Sequence, residues 1–110
     1  MVLRFLPVIV IVGLILYVIL LNKSAQKKEP KFITMPLPGD RKAVAMPPFG
    51  VYIEKDVEND EKIIKHEKCH WRQYQDKGLI DYYKEYFKLN SQYDYQDNPM
   101  EQECFLAEMA

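Results

Sequence analysis

The chain of 110 residues lacks a charge excess of either sign, with 15 lysines and arginines against 16 aspartates and glutamates for a net charge of −1. Without an overall basic excess, nucleic acid is not an expected partner. The chain is too short for a multidomain machine. It has no internal repeat and no heptad array, which excludes solenoids and coiled coils. Histidine and cysteine are scarce, with two of each. The neutral total conceals three unlike zones. Residues 1–21 carry one charge, Arg4; residues 22–48 carry a net +4 and five prolines; residues 49–110 carry a net −6. This pattern reads as a transmembrane anchor (1–21), a basic proline-rich linker (22–48) and a minimal domain (49–110). A domain of 62 residues is marginal without a metal, a disulfide or a partner.

Phe5 to Leu21 is an uncharged run of 17 residues, at the short end of what spans a bilayer at about 1.5 Å per residue. Val2 and Leu3 lengthen it if Arg4 snorkels to the interface. Pro7 falls in the first turn, and Gly13 is tolerated in a membrane helix. The remaining chain is too small to surround a helix that is apolar on every face. A cleaved signal peptide would have an apolar stretch of about 7–15 residues followed by small residues. Here the next residues are Asn22, Lys23, Ser24 and Ala25, so a retained single-pass anchor in the lipid bilayer is expected. Lys23, Lys27, Lys28 and Lys31 outweigh Arg4 and the terminal amine, which places the C-terminal domain in the cytoplasm by the positive-inside rule. Cys69 and Cys104 fit a reducing compartment.

Pro30, Pro36, Pro38, Pro47 and Pro48 forbid a long helix in the linker, which reads as a solvated spacer. Its segments Lys31–Thr34 and Ala43–Met46 are short strands or extended chain. A strand is expected near 50–54 and an acidic turn from Asp56 to Asp60. A helix then runs from about Asp60 to a stop at Gly78, with Ile63, Ile64, Trp71 and Tyr74 as its apolar positions. Leu79, Ile80, Tyr82, Tyr83, Tyr86, Phe87 and Leu89 fit an amphipathic helix of about three turns. After a tyrosine-rich loop, Asn98 and Pro99 open a last helix to about residue 109, with Glu101 completing an N-x-x-E capping box. The expected fold is mainly α with a short strand or strands, following an N-terminal transmembrane helix.

Both histidines lie in His66-Glu67-Lys68-Cys69-His70, an H-E-x-x-H sequence. Two histidines four apart on a helix share a face and can bind one zinc ion. Glu67, one step around, can act as a general base without being a ligand. Chance would place two histidines this way in roughly one such sequence in several hundred. Catalytic zinc usually has three protein ligands and an open position. No third histidine exists, which excludes the metzincin arrangement. The third ligand should be an acid, and the last helix offers Glu101 and Glu103. Cys69 points to a neighbouring helix face and reads as a small core residue.

At this point the chain resembles the gluzincin metallopeptidases, closest to the very small members found in bacteria and phages, over residues 49–110. The resemblance implies a minimal zincin-like domain with an active-site helix, a linking helix and a Glu-bearing helix. Many such families carry E-x-x-A or E-x-x-A-D on that last helix, with the first Glu on zinc. Alignment of Glu101-Gln102-Glu103-Cys104 with that motif makes Glu101 the ligand. Phe105 stands where a family Asp often orients a zinc histidine, a role that passes to Glu103 or Glu108. The resemblance also implies that the strand before the active-site helix, here Gly50 to Glu54, binds substrate by edge pairing. Tyr93 and Tyr95 become candidates for stabilising an oxyanion.

The expected function is therefore a membrane-anchored zinc metallopeptidase acting on a peptide or protein substrate, with His66, His70 and Glu101 on Zn2+ and Glu67 as general base. The alternative is a non-enzymatic membrane protein in which zinc holds a tiny domain together. A third reading is a small phage membrane protein that binds a host protein through its tyrosine-rich face. If both helices approach one ion, Cys69 and Cys104 should lie close together beneath it, as packed thiols in a reducing cytoplasm.

Overall fold

The apolar start of the chain forms one helix, α1 (Val2–Ala25), in a computed structural model that describes residues 2–110. Leu6–Ala25 is long and apolar enough to cross a membrane, with a length of about 30 Å at 1.5 Å per residue. None of this span is buried in the domain, and its large apolar side chains from Leu6 to Leu20 are almost all exposed. It is therefore not the core helix of the protein. The expected snorkelling of Arg4 concerns a side chain outside the described residues.

α1 continues past the expected end at Leu21, and its last turn is fixed to the domain. Ala25 packs against the core. The Tyr74 hydroxyl donates to Asn22 Oδ1, and Trp71 Nε1 and Gln75 Nε2 each donate to the Lys28 carbonyl at 3.0 Å. These bonds satisfy carbonyls that a free spacer would leave to water.

Three strands follow: β1 (Phe32–Thr34), β2 (Ala43–Met46) and β3 (Gly50–Ile53), in the sheet order β1-β3-β2. β3 pairs parallel with β1, Phe32 facing Val51, and antiparallel with β2, Ala45 facing Val51. Residues 22–48, expected as a solvated spacer, thus supply two of the three strands. The prolines bound these strands rather than interrupt them, because their φ and missing N–H are tolerated at strand ends. Gly50 makes the close approach possible. At φ 142° it lies where side chains are disfavoured, and a Cβ there would sit 2.8 Å from the Lys31 carbonyl. That carbonyl accepts the Val51 N–H at 2.8 Å.

The sheet order also corrects the expectation that Gly50 to Glu54 offers an edge to substrate. β3 is the central strand and its hydrogen-bonding groups are used on both sides. β2 is an edge strand, and Ala43 to Met46 line the cavity beside His70.

After a 3-10 turn at Lys55–Val57, three helices complete the domain: α2 (Glu61–Lys77), α3 (Leu79–Gln92) and α4 (Pro99–Ala107). Asp60 caps α2 by accepting the Lys62 and Ile63 N–H groups at 3.0 and 3.3 Å. Gly78, at φ 87°, ends α2 and opens α3, with its N–H bonded to the Tyr74 carbonyl. Asn98 Oδ1 accepts the Met100 N–H at 2.9 Å, and Pro99 fills the first turn of α4. The buried core joins sheet and helices through Ala45, Val51, Trp71, Tyr74, Tyr82 and Met100. Trp71 and Tyr74 meet edge-on with centroids 5.1 Å apart, a favoured aromatic geometry.

Cys69 on α2 and Cys104 on α4 are both buried and lie 5.3 Å apart at Cα. They do meet beneath the histidines, but as a disulfide rather than as the expected pair of thiols. Packing that brings two small residues together across a helix pair also brings their sulfurs within bonding reach. The bond closes a loop of sequence separation 35, which constrains the unfolded chain by about 3–4 kcal/mol. The oxidised protein should therefore be about 3 kcal/mol more stable than the Cys69→Ala/Cys104→Ala variant. Denaturant unfolding in micelles measures this, and equal stabilities would contradict the staple.

Candidate metal centre

His66 and His70 project from one face of α2 toward α4, where Glu101 meets them. All three side chains are buried, at 5%, 5% and 2% exposure. Nε2 of His66 and Nε2 of His70 each lie 2.9 Å from Glu101 Oε1. The three candidate ligand atoms fall within 4.8 Å of one another. The first-turn location of Glu101 follows from the Asn98-Pro99 start of α4, which aims that turn at α2. Glu103, the other acid considered, is exposed and stands apart from the cluster. The expected capping box does not form: Glu101 turns to the histidines, and the Asn98 N–H bonds to the Asp94 carbonyl at 2.9 Å.

Each of the three groups has a partner on its far side. His66 Nδ1 lies 2.8 Å from Glu108 Oε2, and His70 Nδ1 lies 2.9 Å from Gln73 Oε1. The Gln73 amide is itself fixed, donating to the Met100 carbonyl at 2.9 Å. The Tyr86 hydroxyl donates to Glu101 Oε2 at 2.7 Å. Glu108, at the C-terminal end of α4, thus takes the orienting role open between it and Glu103. Phe105 instead packs on the His66 ring with centroids 4.9 Å apart.

These outer bonds test whether a metal fits. An oxygen acceptor at each Nδ1 makes that nitrogen the N–H donor, which leaves each Nε2 as a lone pair. Two imidazole lone pairs and a carboxylate oxygen then converge, three acceptors with no donor among them. A cation satisfies all three at once. Imidazole and carboxylate donors suit zinc, and outer partners on each ligand are the usual accompaniment. The buried cluster of His66, His70 and Glu101 can hold a metal ion. When no cation is bound, protons must take its place between these acceptors: burial pushes the Glu101 carboxyl up, but hydrogen bonds from His66, His70 and Tyr86 then outweigh it and hold the acid well below the ordinary carboxylate range. Burial opposes charge on His66, and its bonds to Glu101 and Glu108 raise its pKa nonetheless.

Glu67 is 7% exposed yet lines the cavities on both sides of the cluster. Burial raises its pKa above the ordinary carboxylate value, against the pull of the neighbouring imidazoles. One cavity, about 200 Å³, is walled by β2 and by Tyr82, Tyr83 and Phe87. The other is walled by Ile63, His66, Phe105 and Glu108. Tyr95 lines both, and burial pushes its hydroxyl up to about 12. Tyr93 ends α3 as an exposed residue and lines neither.

Three residues of the site escape a reading by motif. Gln73 stands three after His70, a spacing on one helix face that a search for histidine partners would find. Tyr86 and Arg41, which lines both cavities, arrive from α3 and from the loop before β2, and no local spacing signals them. Comparison with family models, curated proteins and solved structures finds no match for the chain.

The chain should bind one zinc ion, and His66→Ala and Glu101→Ala should each abolish that binding, whereas Glu103→Ala should retain it. Glu108→Ala should weaken affinity about 10–100-fold by freeing the His66 ring. Metal content by mass spectrometry and competition with a chromophoric chelator measure these outcomes. Full zinc in His66→Ala would contradict the assignment.

Proposed function

We propose that the protein is a membrane-anchored zinc metallopeptidase of the gluzincin type. The observation that carries this reading is the three-acceptor cluster with the buried Glu67 beside it, opening on two cavities. His66 Nε2, His70 Nε2 and Glu101 would hold the metal. Zinc bound there supplies a Lewis acid, which polarises a carbonyl and makes water acidic near neutral pH. Glu67 accepts the proton of the attacking water on its carboxylate and passes it to the departing amide nitrogen. Tyr86 keeps Glu101 oriented and is committed to that bond. The Tyr95 hydroxyl, protonated at neutral pH and facing Glu101 from both cavities, is the donor that would turn to the developing oxyanion. β2 offers an extended peptide its open backbone edge, with alternate side chains entering the cavity walls.

The structural-zinc reading draws support from the small size of the domain, since metal binding free energy can become folding free energy. Two features favour catalysis over it. The sulfurs of Cys69 and Cys104 are bonded to each other, which removes the evident candidates for a fourth protein ligand. The same bond already staples α2 to α4, so the fold has a second fastening beside the metal.

We also propose that α1 is retained as a single-pass anchor in the lipid bilayer, since its last turn is bonded to the domain it would leave behind on cleavage. Two signals for the side of the membrane oppose each other. Lys23, Lys27, Lys28 and Lys31 favour a cytoplasmic domain, and the Cys69–Cys104 bond favours an oxidising compartment. Alkylation of acid-quenched cells separates them: two modified cysteines put the domain in the cytoplasm, and two protected ones put it on the other face.

Glu67→Gln preserves volume and removes the proton carrier. The variant should keep zinc and fold and lose about 10²–10⁴-fold in peptide cleavage. Assay of both proteins on a peptide library measures this, and a fully active Glu67→Gln would exclude the general-base role.

A further inference from the structure

We infer that Arg41 is a specificity residue that binds a carboxylate of the peptide lying in the cleft, either an acidic side chain or a free C-terminus. This rests on the proposed peptide cleft. Arg41 lies in the loop that enters β2 and lines both cavities, together with Glu67 and Tyr95. A chain laid along β2 from one cavity to the other passes this guanidinium beside the proposed general base.

Arg41 is also the cation of the cleft without a prior commitment. Its neighbour Lys42 bonds Asp56 at 2.8 Å and lies 3.8 Å from Glu54. Among the described residues no ion pair involves Arg41. Two of the nearby acids are occupied elsewhere: Glu101 faces the two histidines and Tyr86, and Glu108 faces His66. Glu67 and Asp40 also line the cleft, and neither forms an ion pair with Arg41. A guanidinium offers a planar fork of N–H donors that matches a carboxylate in two parallel bonds. A neutral substrate group would leave that fork to water. Acid at this position also separates substrates well, because a basic side chain there would face Arg41 with like charge.

The test uses the zinc-loaded full chain in lipid nanodiscs, carrying Glu67→Gln so that peptides bind without being cut. Fluorescein-labelled hexapeptides with an apolar centre carry Glu or Gln at each position in turn, with a free or an amidated C-terminus. Fluorescence anisotropy should show roughly tenfold tighter binding for one carboxylate position. Arg41→Gln should remove that preference, and Arg41→Glu should reverse it toward Lys peptides, both with unchanged zinc content. Preference for Glu over Gln in amidated peptides identifies an acidic side chain as the ligand; preference only for the free terminus identifies the C-terminal carboxylate. An equal preference in Arg41→Gln, or none in the parent, overturns the inference. Cleavage competition in protein with Glu67 intact repeats the comparison should Glu67→Gln fail to fold. Cleavage without carboxylate preference sinks this inference and leaves the peptidase reading standing. Selective binding with no cleavage of any peptide does the reverse, and no peptide binding at all overturns both.

Discussion

Two imidazole nitrogens and a carboxylate oxygen, all buried, converge on one point, and most of the domain serves to keep them there. An isolated carboxylate taken out of water costs several kcal/mol even after relaxation. For Glu101 that penalty is offset at one oxygen by Tyr86, and at the other by the proton or cation that sits between it and the histidines. The histidines in turn are rotated into place by Glu108 and Gln73. A cation would complete the arrangement. Binding free energies of roughly 10–16 kcal/mol are known for structural zinc, comparable with the whole stability of a small domain. A bound ion would therefore shape folding here whatever chemistry it supports.

Around that point the fold uses few parts. α2 presents the histidines and Glu67, α4 returns Glu101 and Glu108, and the Cys69–Cys104 bond ties the two helices together just below. α3 contributes Tyr86 and the aromatic wall of one cavity. The small sheet closes the other side, and its edge strand β2 faces the cavity. Because Tyr74, Trp71 and Gln75 on α2 also bond the end of α1 and the chain just beyond it, the site is not on a loose tether. His70 and Tyr74 are one helical turn apart, about 6 Å along the axis. Any membrane that α1 crosses would lie close to the cleft.

Local chemistry was legible in the sequence. Asp60, Gly78, Asn98 and Pro99 set helix boundaries through caps and turns whose rules are local, and the apolar run of α1 declares itself by length. The H-E-x-x-H spacing names two donors because helical geometry alone puts them on one face. What the sequence hid is non-local. Phe32–Thr34 and Ala43–Met46 are too short to show a period, and pairing with β3 makes them strands. Which strand sits at the edge depends on the parallel return of β1 across β3, and no turn between adjacent elements encodes that. Gln73, Tyr86 and Arg41 gain their meaning from contacts across elements. The disulfide shows a further limit: spacing brought the two cysteines together, but their oxidation state depends on compartment as well as on geometry.

X-ray absorption at the zinc edge of the loaded full chain tests the central claim most directly. The account predicts nitrogen and oxygen scatterers alone at about 2.0–2.2 Å, with the multiple scattering of two imidazoles. A sulfur scatterer at about 2.3 Å would contradict it, because a cysteine would then have left the disulfide to close the site as a structural one.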